Sequence, residues 1–193
     1  MDVSREIIDA LKEYHQLVVK WNKVMNIVSQ NSVKDLWERH IIDSLQLLKF
    51  INNKDIHLVD VGSGAGFPGI VLSIAGVRKV TLIEPDVRKS VFLLEASKLS
   101  NNKVEIITER IETINAICDI LTTRAFANLG KIFRDTQNIV IQDKYLLLKG
   151  ESYEEELKEA RVNWSFNCNV HNSITSSQGK ILEINNVIPW QQK

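Results

Sequence analysis

Cysteine is almost missing from this chain: only Cys118 and Cys168 occur, far apart and without C-x-x-C spacing. That argues against a zinc site or a disulfide scaffold, so no metal is expected and a reducing compartment fits. Long hydrophobic runs are missing too, since no stretch approaches the roughly 18 apolar residues that a membrane helix needs. The opening MDVSREIIDALKEYHQLVVKW mixes charges among its apolar residues and does not resemble a signal peptide. A soluble, cytoplasmic protein without a membrane partner is the expectation. An excess of one charge is also absent, because 24 Lys plus Arg balance 24 Asp plus Glu. No global basic field announces a nucleic acid, and any such binding has to come from local clustering.

What is present is a regular alternation of patterns. Ile7, Ile8, Leu11, Tyr14, Val18 and Trp21 recur at helical spacing, and after a break at 26–32 the pattern resumes through Leu36, Trp37, Ile41, Leu45 and Leu48. Residues 1–54 are therefore read as a small N-terminal helical cap, with Trp21 and Trp37 as core. From His57 onward, short apolar runs alternate with helical stretches: HLVDV, KVTLIE, KVEIIT, CDILTTRA and KYLLLKG read as strands, and 129–141 as a helix. Such alternation defines parallel βαβ units. VNWSFNCNV and KILEINNVI, joined by polar NSITSSQG, complete a terminal antiparallel hairpin. The expected fold class is α/β: a Rossmann-like, mostly parallel sheet over residues 55–193, too short with the cap for two full domains.

In such sheets ligands bind beyond the carboxyl ends of the strands, and DVGSGAGFPG (60–69) follows the first one. Gly64, Gly66 and Gly69 spell the dinucleotide pattern G-x-G-x-x-G, whereas Asp60, Gly62, Gly64 and Gly66 spell D-x-G-x-G-x-G. Asp60 separates the two, because a carboxylate here would repel a pyrophosphate but attract the ammonium or sulfonium of S-adenosylmethionine. The alternative role for Asp60 is a strand-end carboxylate that caps the loop. On this parse Gly69 is an incidental extra glycine, and Pro68 starts the following helix. Glu84, ending the second strand, is placed to accept the ribose hydroxyls. Ile111 and Glu112, after the third strand, lie where an adenine ring would sit; Glu112 could equally be a helix first-turn acid.

The reaction is narrowed by absences. With only Pro68, Pro85 and Pro189 in the chain, there is no N-P-P-Y loop after the fourth strand for amine methylation. Both cysteines read as core residues and not as nucleophiles. What remains is the TTRAFA loop with Arg124. An acceptor with a free lone pair, such as guanine N7, needs no general base, so alignment supplies most of the catalysis. No residue is assigned as catalytic acid or base; Arg124 is the positioning candidate, a donor to guanine O6, to phosphate or to the cofactor carboxylate, or else a structural ion-pair member.

Several ordered motifs carry a family resemblance: KWNKVMNIVS, ERHIIDSLQL, DVGSGAGFPGIVLSI, EPDVRKSVFL, RIE, TTRAFA and LLLKG. Over nearly all of 14–150 the chain resembles the bacterial 16S ribosomal RNA guanine-N7 methyltransferases, the glucose-inhibited division protein B family. Asp143 and Lys144 stand where the family usually has a glycine, and resemblance weakens after residue 151. The resemblance implies that S-adenosylmethionine is the cofactor, contacted by Gly62, Phe67, Ile111, Glu112 and Arg124. It further implies a guanine of 16S ribosomal RNA near the decoding site as substrate, with the RNA or the small ribosomal subunit as partner. The cap residues Arg39 and His40 are implied to contact RNA or the active site, although His40 and Asp43 could simply pair locally one helical turn apart. Arg88, Lys89 and Lys149 are further RNA-binding candidates, and with Arg124, Lys131, Arg134 and Lys144 they could gather into a phosphate footprint. A monomer is expected. The competing readings are a small-molecule or protein methyltransferase using the same cofactor site, which predicts an enclosed apolar pocket under the cap, an NAD-dependent oxidoreductase, and a non-enzymatic S-adenosylmethionine-binding scaffold.

Overall fold

The computed structural model describes residues 3–190, so the outer ends of the expected cap and sheet regions lie outside it. Five strands form where short β-branched and aliphatic runs were read: β1 His57–Val61, β2 Lys79–Ile83, β3 Lys103–Ile107, β4 Ala116–Arg124 and β5 Ile139–Lys149. β6 Trp164–Asn172 and β7 Lys180–Pro189 make the terminal antiparallel hairpin. The sheet order is β3-β2-β1-β4-β5-β7-β6; neighbours from β3 to β5 are parallel, and β7 runs antiparallel to β5. Strand order therefore reverses between β1 and β4, which is where an open α/β sheet offers its ligand crevice.

One expected boundary is wrong. The helix read over 129–141 stops early: α6 spans Leu129–Asp135, and the Thr136 hydroxyl donates back to the Ile132 carbonyl at 2.7 Å. Ile139, Val140 and Ile141 then pair with Ala116, Ile117 and Cys118, because a β-branched run beside an extending β4 gains a full ladder. Asp143 and Lys144 make no turn; β5 runs through them, with a register shift in its pairing opposite Cys118 and Ile120.

The cap begins with α1 Arg5–Asn22, capped by the Ser4 hydroxyl and burying Leu11, Tyr14 and Val18. The second apolar stripe is less regular than its spacing predicts. It divides into α2 Gln30–Val33, a π-helical stretch Trp37–Ile42, α3 Asp43–Leu45 and a 3-10 turn Gln46–Phe50. The remaining helices are α4 Gly69–Ile74, α5 Val87–Ser97 and α7 Tyr153–Asn163. None of the described helices is long and apolar enough to cross a membrane.

The pleat decides what faces the cap. Leu58, Ile120, Leu146 and Leu148 join the cap helices, α4 and α5 in one core, while Val59, Val61, Leu121 and Leu147 join Phe133, Trp164 and Phe166 in the other. With a side-chain period of two, Asp60 and Arg124 must share the cap-facing side, and Lys149 the opposite one. Trp21 and Trp37 are half-buried against the cap-side core, and the Trp21 indole donates to Glu95 Oε2 at 2.9 Å.

Candidate active site

At the carboxyl end of β1 the chain turns through residues 62–68 into α4, with a cis bond between Phe67 and Pro68. Pro68 occupies the position just before the first helical residue. Asp60 lies wholly buried beneath this loop, and its Oδ2 accepts from the Gly69 amide at 3.0 Å. It therefore takes the capping role, and Gly69 is no incidental match: a Cβ there would collide with Leu82 and come within 2.7 Å of Asp60 Oδ2. Burial pushes the Asp60 carboxyl up to about 7, with the Gly69 amide and Arg124 pulling the other way. Its other oxygen, Oδ1, has no partner among the described residues.

The glycines divide by what lies over them. Gly62 (φ +66°) donates its amide to the Ile83 carbonyl at 2.9 Å, and a side chain there would run into the Phe126 ring. At Gly66 a Cβ would meet Ile70 at 2.5 Å and the Tyr14 hydroxyl at 3.0 Å. Gly64 (φ +55°) is different: beyond the loop's own backbone its face is open, and its amide donates to Glu84 Oε2 at 2.8 Å. An L residue would be strained there, and a ligand can approach the bare backbone. Glu84 is buried, and its Oε1 accepts from the Asp86 amide at 2.9 Å. Each oxygen retains a further lone pair for a ligand hydroxyl. After β3, Ile111 is buried in a 3-10 turn; Glu112 is exposed, its carboxylate 3.9 Å from Lys131 Nζ and its carbonyl held by the Asn138 amide at 3.1 Å.

Arg124, ending β4, turns toward the cap. Its Nη1 donates to the Arg39 carbonyl at 3.0 Å and lies 3.7 Å from Asp43 Oδ2, while Nη2 donates to His40 Nδ1. The guanidinium also stands over the Phe67 ring at 5.2 Å, and His40 stacks on that ring at 4.9 Å. This arrangement favours the ion-pair role. Burial lowers the Arg124 pKa, and Asp43 leads the groups that hold it up. His40 and Asp43 do not pair with each other; Arg124 bridges them. Since arginine only donates, His40 Nδ1 is the acceptor and its hydrogen sits on Nε2, which is buried without a partner among the described residues. Burial, then the Arg124 and Arg39 charges, drive His40 down to about 3, so it is neutral at physiological pH.

Asp43 is fixed from behind. Its Oδ1 accepts from Gln46 Nε2 at 2.7 Å and Thr175 Oγ1 at 2.6 Å, tying the cap to the β6–β7 turn. Tyr14, fully buried in α1, donates to the Ala65 carbonyl of the glycine loop and packs 5.2 Å from Phe67. Neither Tyr14 nor Gln46 and Thr175 were singled out by sequence: Tyr14 and Thr175 find these partners 51 and 132 residues away, and Gln46, three residues from Asp43, also reaches Ser173, 127 residues on.

Between the cap, the β4 and β5 ends and the β6–β7 turn lies an open cleft of about 770 Å³, bordered by Glu38, Asp43, Arg124, Phe126, Lys149 and Thr175 among others. Its lining mixes polar and apolar surface in about equal measure and it is open, not the enclosed apolar pocket that a small-molecule reading predicts. Several of the cations expected in a phosphate footprint have acidic partners. Lys149 is 8% exposed, donating to Ala127 O at 2.6 Å and Glu156 Oε2 at 2.7 Å. Lys144 is buried against Glu183 at 2.6 Å, Lys131 pairs with Asp135, and Arg88 with Asp86 at 3.4 Å. Lys89 is half-buried on α5, and the Arg39 side chain is exposed at the cleft. Cys118 is buried and pushed up to about 12, which suits a core thiol.

A doubly wound sheet of this order, with an open glycine, a strand-end acid and a capping carboxylate at its switch point, defines a class I, Rossmann-like methyltransferase. Solved structures agree on the fold: the DhpI complex with SAH (TM-score 0.59, 12% identity, 98% of this chain and 100% of that one) and an MtNAS mutant with S-adenosylmethionine (0.59, 17%, 91% and 71%). The family model for rRNA small subunit methyltransferase G matches residues 7–185. A ribosomal RNA small subunit methyltransferase G from Rickettsia prowazekii (strain Madrid E) is 58% identical over 187 residues, covering 97% of this chain and 98% of its own. The chain belongs to this family. The match also reaches well beyond residue 151, where motif reading had found little, and includes most of the terminal hairpin.

Proposed function

We propose that this protein is a cytoplasmic, monomeric enzyme that methylates N7 of a guanine in 16S ribosomal RNA near the decoding site. S-adenosylmethionine, when bound, supplies an activated methyl group on a sulfonium. The residues present fit it: Gly64 offers a bare backbone, Glu84 offers acceptors for ribose hydroxyls, and buried Ile111 offers an apolar wall. Gly62, Gly66, Phe67 and Asp60 shape the loop from behind, and Glu112 borders the adenine side.

The carrying observation is the Arg124 hub. It engages both His40 and Asp43, the titratable groups nearest the junction of glycine loop and cleft. His40 is neutral with its acceptor nitrogen occupied, and Asp43 has its oxygens taken up by Arg124, Gln46 and Thr175. Both are therefore positioning residues. Attack by guanine N7 uses a lone pair and releases no proton, so neither His40 nor Asp43 has to act as a base, and rigid alignment supplies the rate. Arg39, at the cleft, and Arg88 and Lys89, on α5, are assigned to RNA phosphates; Lys149 acts only through Ala127 and Glu156.

The test is transfer of label from S-adenosylmethionine to unmodified 30S subunits, protein-free ribosomal RNA and small-molecule extracts, with digestion of the product. Labelled N7-methylguanosine from RNA is expected. Label at another atom, or only in small molecules, overturns the reading.

A further inference from the structure

Phe126 belongs to neither the cofactor loop nor the Arg124 hub, yet it lies against the one and lines the same cleft as the other. Among the described residues it is the only aromatic side chain lining the cleft, and its ring lies against the bare face of Gly62. Phe126 is half-buried and packs against the core that contains Val61 and Leu147. Its backbone is held on both sides. Arg124 is tied to the cap, and the Ala127 carbonyl accepts from Lys149 at 2.6 Å. Between them Ala125 has φ +53°, a conformation that costs a non-glycine residue free energy and persists only where its surroundings impose it.

We propose that Phe126 is the stacking platform for the target guanine. The inference rests on the RNA reading given above. A cleft of about 770 Å³ has room for a nucleoside, whose planar base is best held face to face against a fixed ring. A purine stacked on Phe126 would stand beside the glycine loop with its edge, not its face, toward the cofactor, which in-plane attack by N7 requires. Stacking does not distinguish bases, so Phe126 sets the plane while polar groups of the cleft select guanine.

The experiment compares Phe126→Leu, Phe126→Tyr and Phe126→Trp with the unaltered chain, measuring kcat and KM for methylation of 30S subunits and, by calorimetry, the Kd for S-adenosylmethionine. Removing the π face should lower kcat/KM about 10-fold or more, from the usual worth of base–aromatic stacking, with the cofactor Kd within about 3-fold. The Tyr and Trp variants should keep most activity. Wild-type activity in Phe126→Leu, equal losses in all three variants, or a loss confined to cofactor affinity would overturn the proposal. If Phe126→Leu no longer binds cofactor, Phe126→Met fills the space without a ring and carries the same expectation. Failure of the unaltered chain to label RNA while still binding cofactor would instead strike the reading beneath it.

Discussion

Asp60→Asn separates the charge of the buried carboxyl from its shape. The side chain is fully buried, accepts the Gly69 amide, and has its pKa pushed up from 3.8 to about 7. The folded chain thus retains a proton between pH 4 and 7 that the unfolded chain gives up. The stabilisation from this group is complete below about pH 4 and is lost as pH rises through 7. Integrating between pH 5 and pH 8 gives a loss of about 2–3 kcal/mol in the unaltered protein, a loss that a neutral amide cannot suffer. Asparagine has costs of its own, since its amide group has to find a partner where Oδ1 has none, but these are the same at both pH values. The quantity to measure is therefore a difference of differences: urea denaturation of both proteins at pH 5 and pH 8. The variant should gain on the unaltered protein by about 2–3 kcal/mol on moving to the higher pH. An unchanged gap, within about 0.5 kcal/mol, would show that Asp60 is ionised throughout and would refute the assignment of burial as the dominant force on it.

Arg124→Lys keeps the charge but cannot reach His40 Nδ1, the Arg39 carbonyl and Asp43 together; kcat/KM for RNA methylation should fall about 10- to 100-fold, and a value within 2-fold of the original would deny the hub its positioning role. Lys149→Met leaves Glu156, 16% exposed, as a buried charge without its cation, and should cost about 3 kcal/mol or more in urea denaturation, with a loss under about 1 kcal/mol contradicting the buried-pair description. Gly69→Ala forces a methyl toward Leu82 and Asp60 Oδ2, so about 1–3 kcal/mol of stability should be lost by the same assay, whereas a neutral effect would restore Gly69 to an incidental match.

How far the sequence reached depended on the range of the interaction. Strands announced by local composition, such as HLVDV and KVTLIE, lie where expected, because their pattern and their pairing require the same residues. The helix over 129–141 failed because Ile139–Ile141 suit either structure, and only the neighbouring β4 edge decides. Asp60 and Arg124 were recognisable as important from their place at strand ends, yet their roles were not. That Arg124 turns to the cap depends on His40 and Asp43, some 80 residues earlier, one in a π-helical stretch and the other at the start of α3, where no spacing rule marks them. Lys149 looked free because its partner, Glu156, sits one turn into a helix whose docking is tertiary. Charge counts register cations but not their neutralisation.

The same long-range dependence governs how the buried charge at this site is compensated. A guanidinium buried at the end of β4 has to be compensated, and Asp60 alone would do so only while ionised, a state that burial resists up to about pH 7. Asp43 takes that place from the cap, 3.7 Å away, and is itself fixed by Gln46 and Thr175. His40 joins as a neutral acceptor, adding a hydrogen bond without a second positive charge. Arg124 consequently has its full set of partners only when cap, β4 end and β6–β7 turn are assembled together, and Phe67, against which both Arg124 and His40 pack, carries that dependence into the glycine loop. A chain whose cap is displaced would leave a buried, unpaired cation beside the loop, at a cost of several kcal/mol. The geometry at the junction of cap and glycine loop is therefore maintained by the same guanidinium that the sequence offered either as a donor to substrate or cofactor or as an ion-pair member.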